Sequence, residues 1–76
     1  MTAAELVKQM GAYLVGRRVM TQDDGDYPGG PAKVVELNPD PNAPEIVCQV
    51  RHDTWRDIRS DSGEMGIFEH EELELI

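Results

Sequence analysis

Carboxylates, two imidazoles and one thiol are the side chains of this 76-residue sequence that could do chemistry, and their spacing decides which chemistry is open to them. Asp23-Asp24-Gly25-Asp26 gathers three carboxylates, the ligand type a hard cation such as calcium takes. An EF-hand loop alternates its acids and supplies a glutamate at position twelve, and counted from Asp23 that position is Val34. The run reads instead as a solvated acidic loop able to meet a basic partner. Cys48, His52 and His70 are too few and too scattered for a zinc site, which takes four ligands in paired spacings. His52, after a strand end, and His70, among glutamates, are expected as exposed imidazoles, and Cys48 as a small core residue. Glu69, Glu71, Glu72 and Glu74 could share general acid and base work only in a cleft that drives their pKa values apart. An acidic run outside such a cleft is a solvated face. The sequence holds no Ser/His/Asp arrangement, no phosphate-cradling glycine loop and no cofactor fingerprint. It therefore points away from an enzyme, with no catalytic residue, cofactor or metal assigned.

Fifteen acidic against seven basic side chains give a formal charge of −8, which opposes a basic face for nucleic acid or for an anionic membrane. The charge is also uneven. Residues 1–22 carry three basic side chains and one acidic one, while residues 61–76 carry six acidic ones and none that is basic. Such a dipolar surface can steer a partner or favour head-to-tail association. Hydrophobic residues at 39% beside 29% charged ones fit one small globular domain. With Cys48 alone there is no internal disulfide framework, and no signal peptide or bilayer-length apolar run is visible, so a cytoplasmic protein is expected.

The elements that must position these groups start with a helix over residues 1–15. Thr2 and Glu5 have the spacing of a capping box, and Leu6, Met10, Tyr13 and Leu14 form one apolar stripe. Gly11 weakens this helix, and Gly16 is a natural residue to stop it. Strands are then expected at Arg17–Thr21, Ala32–Leu37 and Glu45–Arg51, the last with Ile46, Cys48 and Val50 on one face. A loop rich in glycine and proline over Gln22–Pro31 separates the first two, and Asn38–Pro44 separates the next pair. Thr54–Arg59 is a more polar strand candidate, and Met65–Phe68 a short strand. Glu69–Glu72 makes a tight turn before a closing strand at Leu73 and Leu75. Short strands at spacings of about ten residues suggest a small, strongly bent antiparallel barrel, closed so that its edges are hidden.

Residues 16–76 resemble an SH3-like barrel. The resemblance is carried by Gly16-Arg17-Arg18-Val19 opening a strand and by the long Pro/Gly loop after it. It continues through Val34-Val35-Glu36-Leu37, Ile46-Val47-Cys48-Gln49-Val50 and Phe68-Glu69-His70-Glu71-Glu72-Leu73. The last run is similar to the turn and closing strand of KOW-type, Tudor-type and photosystem I accessory-subunit modules. The resemblance implies a mainly β fold, a five-stranded antiparallel SH3-like barrel with one N-terminal helix added. It also implies a docking or accessory role, since such modules mostly bind rather than catalyse. The N-terminal helix and the acidic surface depart from the basic, nucleic-acid-binding members.

Among the aromatics, Tyr13 and Phe68 are expected in the core. Tyr27, in a Pro/Gly loop, is a candidate for a binding surface, and Trp55, between Thr54 and Arg56, is either a binding-surface residue or, as the single tryptophan of a small chain, a core anchor. Asp23, Asp24, Asp26, Tyr27 and Trp55 are therefore the expected contact residues for a partner that is another protein, with no direct nucleic-acid or membrane contact. Arg51, Arg56 and Arg59 form a local basic cluster that the summed charge opposes. The alternative function is that of an acidic inhibitor of phage or mobile-element type, whose carboxylates stand in for the phosphates of a nucleic acid.

Overall fold

In a computed structural model of the chain, residues 1–22, 29–53 and 63–76 are described. Helix α1 spans Ala3–Met10 and starts as its sequence demands. The Thr2 hydroxyl oxygen accepts from the Glu5 N–H at 3.2 Å, and Glu5 Oε1 accepts from the Thr2 N–H at 2.9 Å. These reciprocal bonds satisfy two donors that a helix start leaves free. They also hold the Glu5 carboxyl below its usual range, because the bonds favour its charged form.

The helix stops earlier than the stripe predicts. Gly11 takes φ +54°, and the chain rewinds as a 3-10 turn over Gly11–Leu14 before Gly16 at φ +91° releases it into the sheet. The phase break has a visible result. Leu14 stays in the core, but Tyr13 swings outward and is 86% exposed, so it is not the core residue the helical period suggests.

Five strands follow: β1 (Arg18–Thr21), β2 (Gly30–Leu37), β3 (Ile46–His52), β4 (Glu64–Phe68) and β5 (Leu73–Leu75). They form one antiparallel sheet in the order β4-β3-β2-β1-β5. Strand β2 begins inside the expected loop, since Gly30 and Pro31 already pair with Thr21 and Met20. The connection from β2 to β3 opens with Asn38 at φ +46° and is braced by Asp40 Oδ1, which accepts from the Asn42 N–H at 2.9 Å. The strand candidate Thr54–Arg59 lies outside the described residues.

Alternation along the strands sets the core. Val19 and Thr21, Ala32 and Val34, Cys48, Val50 and His52, Ile67 and Leu73 are all buried. Ala3, Leu6 and Leu14 from the helical segment belong to the same cluster. Register shifts between Val34 and Glu36, and between Ile46 and Cys48, mark bulges that bend the sheet.

The sheet is nevertheless not closed into the expected barrel. Among the described residues, β4 and β5 are its two edges and do not pair with each other. Strand β5 has only three residues, and the N-terminal segment occupies the ground beside it. Thr2 bridges Glu72, the Leu73 N–H donates to the Met1 carbonyl at 2.9 Å, and the Ala3 N–H donates to the Glu71 carbonyl at 2.7 Å. No helix among the described residues is long and apolar enough to cross a membrane.

Candidate functional site

The contact residues expected from the sequence fall outside the described structure: Asp23, Asp24, Asp26 and Tyr27 in residues 23–28, and Trp55 in residues 54–62. Arg56 and Arg59 fall there too. What the described residues do form is a groove of about 480 Å³ beside β4.

The groove is built at the end of β4. Met65, Ile67 and Phe68 give it an apolar side, and Thr21 and Gln22, at the end of β1, close it opposite. Its remaining wall is the turn that carries His70, Glu71 and Glu72. That turn is stapled from both directions. The Glu71 N–H donates to the Phe68 carbonyl at 3.1 Å, and the Phe68 N–H donates to Glu71 Oε2 at 2.9 Å. The Phe68 and His70 rings stack with centroids 5.9 Å apart. The helix start holds the turn in place, because the Ala4 N–H donates to the Glu69 carbonyl at 3.0 Å, beside the Ala3 bond described above. A carboxylate-rich turn against a helix N-terminus is electrostatically favourable.

Phe68 is 39% exposed and not the core residue expected from composition. It ends a strand whose alternate residue, Ile67, already fills the core. His70 is exposed as expected, whereas His52 is not: it is 2% exposed on the inner face of β3. The alternation Cys48, Val50, His52 simply runs one residue past the expected strand end. Burial pushes the His52 pKa down, against a smaller upward pull from Asp53. Burial likewise raises the Cys48 thiol to about 12, which makes it an inert core residue. Among the described residues, no three His, Cys, Asp or Glu side chains converge as a metal would need.

The outer face of the sheet carries a second arrangement that the sequence did not announce. Register sets Arg18 beside Lys33, Lys33 beside Arg51, and Arg51 beside Glu64, in one row across four strands. Arg18 pairs with Asp53, and Arg51 with Glu64 at 2.6 Å. Gln49 Nε2 also donates to Glu64 at 3.2 Å. Three cations side by side repel, and the flanking carboxylates offset that cost.

Set beside known proteins, the chain matches no family model, no curated protein and no solved structure. Its class is therefore what its own geometry defines, a mainly β chain with five antiparallel strands in one sheet and one N-terminal helix.

Proposed function

We propose that this chain is a non-catalytic interaction or accessory module built on a partly open SH3-like barrel, and that the groove beside β4 is where it meets another protein. The observation that carries the reading is the groove itself: an apolar side of Met65, Ile67 and Phe68 faces an acidic wall of Glu71 and Glu72. Binding sites commonly join an apolar floor to a few polar groups that fix orientation. The strand order β4-β3-β2-β1-β5, with a short turn before β5, supports the SH3-like part of the proposal. Gln22, on the groove, immediately precedes the acidic run from Asp23, which keeps that run in the same proposal.

The acidic-mimic alternative draws on Glu69, Glu71, Glu72 and Glu74. The row of Arg18, Lys33 and Arg51 on the outer face counts against it, since a mimic of phosphates gains from carboxylates alone. Capture from a lysate with wild type, Phe68→Ala and Tyr13→Ala, at low and high salt, separates the readings. A module using the groove loses its partner with Phe68→Ala and keeps it with Tyr13→Ala. Equal capture by all three refutes the groove. A partner displaced by DNA and lost steeply with salt favours the mimic.

A further inference from the structure

Strand β4 has an outer edge whose hydrogen-bonding groups can be assigned from the bonds on its inner side. The His52 N–H donates to the Gly63 carbonyl at 3.1 Å, and the Glu69 N–H donates to the Glu45 carbonyl at 2.9 Å. Odd-numbered peptide groups of this strand therefore face β3, and alternation turns those of Gly66 and Phe68 outward. The bulge between Ile46 and Cys48 puts its extra residue in β3 and leaves the alternation of β4 intact. At Phe68 the outward assignment is visible directly, since its N–H and carbonyl both bond to Glu71. Gly66, at the middle of this edge, has no side chain to shield it.

We propose that the partner is an extended segment in which apolar and basic residues alternate, and that it adds to β4 as a further strand. This rests on the groove being the binding surface. Main-chain bonds to Gly66 and Phe68 supply the pairing, and side chains on one face of the segment enter the groove beside Met65 and Ile67. Basic side chains meet Glu71, in a stretch from Gly63 to Ile76 that contains no lysine or arginine, while Glu72 is held by the Met1 ammonium at 3.1 Å. Glu71 acts as a plug for the edge. Its carboxylate holds the Phe68 N–H until a carbonyl of the incoming strand takes that donor, and the released carboxylate then pairs with a cation of the segment. An unguarded edge invites indiscriminate pairing, and a side-chain plug answers that hazard. At about 3.3 Å per residue, a six-residue segment covers β4.

The probe is a peptide of six alternating valines and lysines, titrated into the 15N-labelled chain. The expected result is amide shifts at Gly66, Phe68 and Glu71, slowed exchange of the Phe68 N–H, and an affinity that Glu71→Gln lowers about two- to five-fold. Because Glu71→Gln could alter the turn, two further peptides read the same question on the wild-type chain. Alternating valine and glutamate should bind far more weakly. A valine–lysine peptide with alternate nitrogens methylated should lose the shifts at Gly66. Equal binding by either overturns strand addition. A polyproline peptide that shifts Met65 and Phe68 in their place overturns it too, yet leaves the groove as a binding surface. Shifts confined to Arg18, Lys33 and Arg51 overturn both.

Discussion

On the outer face of the sheet Arg18, Lys33 and Arg51 stand in one row, and Asp53 and Glu64 answer two of the three. At the corner after β4, Glu69, Glu71, Glu72 and Glu74 stand within six residues, and no lysine or arginine lies between Gly63 and Ile76. The face offsets two of its three cations between side chains. The corner draws on the main chain instead, Glu71 on the Phe68 N–H and Glu72 on the Met1 ammonium at 3.1 Å. A formal charge of −8 therefore describes neither region. What it hides is a face where carboxylates answer cations and a corner whose side chains are acidic without lysine or arginine, and the corner adjoins the groove.

The largest expected effect tests whether that corner divides into core and rim. Ile67→Ala should cost about 2–5 kcal/mol in urea unfolding, because Ile67 is buried among the core residues. Phe68→Ala, one residue on and partly exposed, should cost less than about 1 kcal/mol. Similar losses would abolish the division. Acid sharpens the contrast next. His52 is depressed below its ordinary 6.5 by burial, so the unfolded chain takes up the proton first. Its contribution is complete above that value and is lost as pH falls through and below it. Glu5, held below its ordinary 4.5 by Thr2, loses its contribution only at lower pH. Unfolding midpoints recorded from pH 8 to pH 3 should thus fall in two stages, and His52→Phe should flatten the first alone.

Thr2→Ala removes the helix cap beneath the acidic corner and should cost about 1 kcal/mol by thermal melting. Smallest is the outer face. A double-mutant cycle on Arg51 and Glu64 should give about 0.2–1 kcal/mol at low salt and almost nothing at about 1 M salt. A coupling well above this range would mean that the row is a structural element rather than a neutralised surface.

Much of this architecture was legible. The capping box of Thr2 and Glu5 has one geometric outcome, and the alternation around Cys48 and Val50 has another, so the helix start and β3 follow from local rules. Strands β1, β2, β4 and β5 fall within a residue or two of their expected places. Local rules failed where phase or partners decide. Gly11 resets the helical period, which put Tyr13 in the wrong environment on paper. Pro31 reads as loop, yet lies in β2 because β1 offers it a partner in Met20. Barrel closure depended on whether a three-residue β5 could reach β4, a question of space that no residue pattern encodes. The groove was hidden for a related reason: Phe68 and the glutamate turn are unremarkable apart, and only the fold sets them opposite Thr21 and Gln22. The expected contact residues Asp23, Asp24, Asp26, Tyr27 and Trp55 lie outside the described residues.

The placement of β5 against β1 has a kinetic consequence. Val19 pairs with Leu75 and Thr21 with Leu73, so a strand made early in synthesis waits for residues made more than fifty positions later. The meander β1-β2-β3-β4 can assemble from neighbours in sequence, but its flank at β1 stays bare until β5 leaves the ribosome. Contacts of such long separation slow the final step of folding. Nascent chains arrested before Leu73 should therefore be protease-sensitive around β1 while already protected across β2 and β3.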